Sequence, residues 1–408
     1  MINWFLYNLS INCYGAFIWF ASLFNEKARK FIKGRNIELQ VKVPKGGIWL
    51  HVSSLGEFEQ ARPLIEQIRK SSDINITLTF FSPSGYEIRK SYEQVDSVLY
   101  MPIDTYKNAV EFISNHDFKL VIFVKYDFWM NHLKVSLDRG IPVVFISVMF
   151  RSNQIYFNRG RDFYLPIFKR INHFFVQNEE SMELLAAHGI DHATRVGDTR
   201  VDRVVQIAKE ASDLMKLESL QEARKVFVIG SAWESDRRLL APLFRDFSED
   251  FLFIVAPHDI SKHSIDKIMD GFGNVQLYSN WDDQKDFDYL IIDNIGMLAS
   301  LYRYADFTYV GGAFKGSLHN TLEAAAHAKP VFYGVHPHNA KFREAQDLAV
   351  YGGGFPMRDY VDFKAKIEFL LNDDDAYVTA CEASGKYISD QSGATDKIYQ
   401  HIVSLLEK

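Results

Sequence analysis

Short, continuously apolar runs alternate with amphipathic stretches from residue 47 to residue 178, and the alternation starts again near residue 224. The first block holds "GIWLHV", "INITLTFF", "SVLYMP", "LVIFV", "PVVFISV" and "HFFVQ"; the second holds "KVFVIGSA", "FLFIVAPH", "VQLYS", "YLIIDN", "FTYVGG" and "PVFYG". β-Branched and aromatic residues fill these runs without the polar alternation of a half-exposed sheet, so both faces of each strand must be covered. Helical spacing between them, as over 57–70, 84–92 and 104–115, supplies the covering layers. The pattern predicts an α/β protein of two doubly wound parallel sheets, alike in architecture but without a sequence repeat. A chain of 408 residues is also too long for one ordinary core. The expected division is an N-terminal helix over 1–25, a first domain over 26–205, a linker over 206–222, and a second domain over 223–385. A terminal helix over 386–408 is expected to pack across the domain boundary, after a Ser-Gly break.

Composition, 47% hydrophobic and 24% charged, is that of a folded protein. A net charge of −6 argues against a general nucleic-acid binder. Cys13 and Cys381 are the only cysteines, which rules out a disulfide framework or a Cys-based zinc site and suits a reducing compartment.

The first 25 residues carry no charged side chain and are rich in Phe, Trp, Leu and Ile. "EKARKFIKGR" follows, with Lys27, Arg29, Lys30, Lys33 and Arg35 against Glu26, and that cationic flank predicts a cytosolic side. Asn3, Asn8 and Asn12 interrupt the apolar run. The segment therefore reads in three ways: as a membrane span, as a helix lying in one leaflet, or as a helix packed on the protein.

Ligands of open parallel sheets bind beyond the carboxyl ends of the strands, so the loops after the apolar runs are the places to look. In "HVSSLGEFEQ" Glu57 sits where a strand ends and a helix begins, placed equally well to cap the helix or to act as a base. "VKYDFWMN" puts Lys125 and Asp127 at another strand end, as a ligand-binding pair or a neutralised ion pair. "GGAFKGSLHNTLEAAAHAKP" offers Gly312, Ser317, His319 and Asn320 in a loop before a helix expected to run from 320 or 321 to just before Pro330. Exposed amides there suit a phosphate, and Glu323 is positioned either to accept from a ribose diol or to complement the helix dipole. Ser231, His258 and the Ile295–Gly296–Met297 turn end other strands of the second block, each also explicable as ordinary turn or core chemistry. Neither a GxxxxGK[ST] nor a GxGxxG pattern is present.

Taken together, "SLGE", "MPID", "VQNEES", "VGDTRVD", "DNIGML" and "GGAFKGSLHNTLEAAAHAKPVFYG" resemble, in order and spacing, the motifs of the Kdo transferases. These glycosyltransferases move 3-deoxy-D-manno-octulosonic acid (Kdo) from CMP-Kdo to lipid A precursor. The resemblance implies the GT-B glycosyltransferase fold, two Rossmann-like domains with an interdomain cleft, the first for the acceptor and the second for the donor. It carries the general base onto Glu57 and donor contacts onto Ser231, His258, Ile295, Gly296, Met297, Gly312, Ser317, His319, Asn320 and Glu323. Ser54, Gly56, Ser82, Ser84, Lys125 and Asp127 are the acceptor-side or sugar-binding candidates. It further implies an inverting transfer to lipid IVA without a metal or other cofactor, and partners limited to CMP-Kdo, the phosphorylated lipid acceptor and inner-membrane lipids at the cytoplasmic face. Three loops depart from the family pattern: Lys125 stands where a carboxylate is expected, Ala256 where an arginine is expected, and "GSLHN" replaces a Gly-Gly-His-Asn turn. A different two-domain nucleotide-sugar enzyme, such as a UDP-sugar transferase or epimerase, and an inactive membrane-tethered homologue are the alternatives.

Overall fold

The computed structural model describes residues 2–38, 44–211, 217, 224–270, 272–282 and 285–407. The chain divides into two compact units, one of residues 1–202 with 392–408 and one of residues 203–391. Each is built on a seven-stranded, all-parallel sheet.

In the first unit the strands are β1 (Ile48–Val52), β2 (Ile76–Phe80), β3 (Ser97–Tyr100), β4 (Leu120–Val124), β5 (Val143–Val148), β6 (His173–Val176) and β7 (Ala193–Arg195). Their spatial order is β3-β2-β1-β4-β5-β6-β7. β1, β2, β4 and β5 are buried along their whole length, which is why their sequences show no polar alternation. One face packs Trp49, Phe123, Phe145 and Phe174 against the helices; the other packs Leu50, Ile122 and Ile146 against Phe58, Leu64 and Ile398. Ile398 belongs to the last helix, Ala394–Leu406, which lies on α3 (Leu55–Ser71, named in chain order after α1, Ile2–Ala21, and α2, Glu26–Glu38). Asp202 fixes the start of that last helix by accepting from the backbone N–H groups of Gly393 and Thr395, each at 2.6 Å. The final helix is thus part of the first unit, while the preceding helix, Asp374–Gln391, belongs to the second.

The second unit holds β8 (Lys225–Ala232), β9 (Phe251–Pro257), β10 (Val275–Leu277), β11 (Tyr289–Ile291), β12 (Phe307–Val310), β13 (Val331–Gly334) and β14 (Gly354–Met357), in the order β10-β11-β9-β8-β12-β13-β14. The short strands β7 and β14 lie at sheet edges and were not visible as apolar runs. The expected linker over 206–222 begins inside the helix Thr199–Glu210; its remainder falls largely outside the described residues.

α1 packs on the first unit. Trp4 and Tyr7 join the aromatic core, with the Trp4 ring edge-on to Phe163 at 5.0 Å. The Tyr7 hydroxyl donates to Asp104 Oδ2 at 2.5 Å, and Asn131 Nδ2 donates to Asn8 Oδ1 at 2.9 Å. Asn8 therefore serves as a docking contact. Along the same helix Phe5, Leu6, Leu9, Phe17, Trp19 and Phe20 remain exposed. Among the described residues no helix is long and apolar enough to cross a membrane, which removes the spanning reading of this segment. Arg35 also leaves the expected cationic flank. It is 5% exposed, stacks on Phe31 at 3.4 Å, and donates to the carbonyls of Met101, Phe31 and Phe81. A guanidinium satisfies three carbonyls at once, so burial is preferred to the surface position that its neighbours Lys30 and Arg29 hold.

Candidate active site

Each sheet has a switch point near its centre, between β1 and β4 in the first unit and between β8 and β12 in the second. Loops leaving the two strands at such a point diverge and open a crevice at the carboxyl edge of the sheet. The candidate residues gather at these two places.

In the first unit β1 ends at Val52, and Ser53 and Ser54 lead into α3. Glu57 is the third residue of that helix, and its Oε2 accepts from the Ser53 N–H at 2.6 Å and the Ser54 N–H at 3.1 Å. It is therefore a helix cap, the carboxylate half of a capping box. It also faces the neighbouring loop. β4 runs out into Lys125, which holds a left-handed φ of 60°, and the chain then turns through Tyr126 to Asp127. A non-glycine residue in that conformation costs about 1–2 kcal/mol and is retained only where the surroundings require it. The turn brings Asp127 back to β1, where the Ser53 hydroxyl donates to its Oδ2 and its carboxyl group pairs with that of Glu57.

Burial, and after it the charge of Glu57, pushes the Asp127 carboxyl up to about 7. Burial also raises the Glu57 carboxyl, against the opposing pull of Lys125 and the two backbone amides. Two carboxyl groups this close do not both ionise freely, so the pair holds a proton toward neutral pH, with Asp127 as its main seat. Behind them His51 is fully buried. Trp129 Nε1 donates to its Nε2 at 3.1 Å, and its Nδ1 pairs with Thr79 Oγ1 at 2.8 Å. Because an indole N–H only donates, Nε2 carries the lone pair and Nδ1 the hydrogen. Burial, followed by the charges of His132 and Arg35, lowers this histidine well below the usual range, so it stays neutral 3.7 Å from Asp127. Ser82 caps the helix Pro83–Arg89 by accepting from Gly85 N–H at 3.2 Å, and its own N–H donates to Ser53 O at 2.9 Å. Ser84 Oγ lies 3.4 Å from Ser82 Oγ, and Gly56 is exposed in the first turn of α3. The structure thus brings Ser54, Ser82, Lys125 and Asp127 to the Glu57 loop.

In the second unit β8 is interrupted at Ser231, which has a left-handed φ of 52°. Trp233 follows, and its indole stacks on His258 at 3.9 Å between ring centres while donating from Nε1 to His319 Nε2 at 3.1 Å. His258 and His319 lie 4.7 Å apart. Burial, then His258, lowers the His319 imidazole. Asp236, fully buried, binds the two loops together: Oδ2 accepts from Trp233 N–H at 2.9 Å and Gly312 N–H at 3.1 Å, and Oδ1 from the Tyr309 hydroxyl at 3.1 Å. A Cβ on Gly311 would lie 2.3 Å from Ser231 O, so only glycine permits this approach.

Asn320 caps the next helix by accepting from Leu322 N–H, and donates to Glu323 Oε1 at 3.1 Å. That helix spans only Thr321–Ala325, shorter than expected. Ala328 turns left-handed at φ 53°, and the conformational restriction before Pro330 disfavours a helical continuation. One turn has little macrodipole, so an anion here must be met mainly by side chains. Ser317 is exposed in the preceding turn. Burial raises the Glu323 carboxyl, which faces the Tyr302 hydroxyl; that hydroxyl would lie 1.9 Å from a Cβ on Gly230. The Ile295–Met297 turn leads into this same segment, with Ile295 85% exposed and Gly296 at φ 99°.

Sequence reasoning missed His51, Ser53, Trp233 and Asp236. A signal existed for two of them: Trp233 and Asp236 have capping-box spacing in a loop already singled out at Ser231.

Residues 25–203 match the family described as 3-deoxy-D-manno-octulosonic-acid transferase (kdotransferase). A 3-deoxy-D-manno-octulosonic acid transferase of Rickettsia felis is 23% identical over 91% of this chain and 82% of its own length. One of Chlamydophila psittaci is also 23% identical, over 91% of this chain and 89% of its own. Among solved structures, the UDP-GlcNAc 2-epimerase of Neisseria meningitidis superposes with a TM-score of 0.58 at 13% identity, covering 88% of this chain and all of that one. MurG of Acinetobacter baumannii does so with a TM-score of 0.53 at 12% identity, covering 89% and 99%. The structural likenesses establish the GT-B class of fold, and the chain is similar to the Kdo transferases, through the family match over residues 25–203 and through relatives along nearly its whole length.

Proposed function

We propose that the protein transfers Kdo from CMP-Kdo to a hydroxyl of a phosphorylated lipid A precursor, lipid IVA, with inversion at the anomeric carbon and Glu57 as general base. The observation that carries this reading is the Glu57–Asp127 carboxyl pair at the switch point of the first sheet. A sugar hydroxyl is a poor nucleophile at neutral pH and needs a base within hydrogen-bond reach as it attacks. Glu57 is oriented by two backbone amides, and burial raises its affinity for a proton. As the acceptor oxygen bonds to the anomeric carbon, its proton passes to Glu57, the bond to the CMP phosphate oxygen breaks, and CMP leaves with the electron pair.

In the second unit Glu323 would accept from the ribose hydroxyls, and the Trp233, His258 and His319 cluster would face the phosphate and the sugar. The exposed apolar residues of α1 and the lysines beside it would rest the enzyme on an anionic membrane surface at the cytoplasmic face, where the lipid acceptor lies. Incubation with CMP-Kdo and lipid IVA, read by mass spectrometry, tests the reading, with UDP-sugars as competing donors. Transfer from a UDP-sugar and none from CMP-Kdo overturns it.

A further inference from the structure

A cavity of about 190 Å³ opens beside Trp233, bounded among others by Glu234, His258, Asp259, Lys267 and Lys315. Its carboxylates are already engaged. Glu234 pairs with Lys267 at 3.3 Å, and Asp259 accepts from the Ser261 N–H and from the hydroxyls of Ser261 and Ser264. Lys315 has no carboxylate within ion-pair distance among the described residues; its ammonium lies over the Trp233 ring, 4.2 Å from the centre. The indole beneath it is fixed by stacking on His258 and by its hydrogen bond to His319.

The loop that presents Lys315 has little freedom. It is a single tight turn, Ala313–Lys315, between Gly312 at φ 90° and Gly316 at φ 67°. Gly312 is tied to buried Asp236, and a Cβ on it would lie 2.5 Å from Ser317 O. Phe314 is wedged between the Arg238 guanidinium at 3.5 Å and the backbone of Gly334. The β9 loop, "APHD", contains no arginine. A lysine restrained on an aromatic face, at the mouth of a small cavity and without a counter-charge, has lost part of its rotamer freedom before any ligand arrives.

We infer that Lys315 is the cation that binds the phosphate of the nucleotide donor, with Trp233 as the platform that holds its ammonium in place. This rests on the donor reading of the second unit given above, and it names the group that meets the charge. When the glycosyl bond breaks, the phosphate goes from a diester to a monoester and gains negative charge. A cation at that oxygen therefore acts more strongly as the leaving group departs than on the intact donor.

The test is titration calorimetry of the full chain with CMP and with cytidine. The wild type is expected to bind CMP more tightly than cytidine, with an affinity that falls as salt is raised. Lys315→Gln is expected to lose about tenfold in CMP affinity, in line with loss of a charge-assisted hydrogen bond, and to bind cytidine as before. Lys315→Arg should recover most of the loss. Trp233→Leu, which removes the platform and keeps the lysine, should weaken CMP by a smaller factor. CMP binding by Lys315→Gln equal to the wild type, with the same salt dependence, overturns the Lys315 assignment while the donor reading stands. Failure of the wild type to bind CMP overturns the donor reading itself. Lys315 is exposed on a turn, so its replacement leaves the core intact, and an unchanged melting temperature verifies this.

Discussion

Glu57 and Asp127 stand on different strand-end loops and are joined by one residue, Ser53, whose backbone N–H donates to Glu57 Oε2 at 2.6 Å and whose hydroxyl donates to the Asp127 carboxyl group. The same carboxylate that caps α3 is therefore the one paired with a second carboxyl group. Capping does not compete with the proposed role as base, because the cap fixes the orientation that a base would require.

The two roles separate by substitution. Glu57→Gln keeps an oxygen that can accept from Ser53 and Ser54 and should leave the melting temperature close to the wild type. Glu57→Ala removes the cap and should cost about 1 kcal/mol of stability. Both should lose transfer by about 10²–10⁴-fold, with CMP binding unchanged. Near-normal turnover by Glu57→Gln in the mass-spectrometric assay would exclude Glu57 as the base.

Asp127 carries a pH signature in stability. Its folded-state pKa, about 7, lies above the ordinary carboxylate value, so between about pH 4 and 7 the folded protein holds a proton that the unfolded chain has released. Its contribution is present at low pH and is lost as pH rises through 7. Asp127→Asn should flatten the decline of stability across that window. Denaturant midpoints at pH 5 and pH 8 measure it; an unchanged slope would show that the carboxyl group titrates normally.

Glu323→Ala should weaken CMP binding several-fold by removing an acceptor for the ribose hydroxyls, and 2′-deoxy-CMP should be less sensitive to the change than CMP. Calorimetry decides this, and equal losses for the two nucleotides would count against a ribose contact.

Asp104 is fully buried and accepts from the Tyr7 hydroxyl, the Asn131 and His132 N–H groups and the His132 ring. Asp104→Ala should cost about 2–4 kcal/mol, since it leaves several buried donors without a partner. Tyr7→Phe should cost about 1 kcal/mol and loosen α1, seen as faster amide exchange over residues 4–12.

Replacement of Phe17, Trp19, Phe20 and Phe24 by Ser should leave the melting temperature nearly unchanged, because all of these side chains are exposed. It should sharply reduce sedimentation with vesicles containing anionic lipid. Undiminished vesicle binding would place the membrane contact elsewhere.

The sequence by itself determined the two parallel sheets and the position of most candidate loops. Strands covered on both faces must be apolar throughout, and that signal is local, as is the cap spacing at Glu57. β7 ("ATR") and β14 ("GFPM") escaped because neither is an apolar run, unlike the other two edge strands, β3 and β10. Only the tertiary structure decided which distant groups meet. Asp127 reaches Glu57 because β4 lies beside β1, and Lys315 reaches Trp233 because β12 lies beside β8; strand adjacency at the switch points is not written in either loop. It also decided the fates of polar residues. Arg35 reads as part of a cationic flank from its neighbours, and Asn8 as an interruption that leaves three readings open, but a hydrogen-bonding group taken out of water finds its place from partners far along the chain. For Arg35 these are Met101 and Phe81, and for Asn8 it is Asn131.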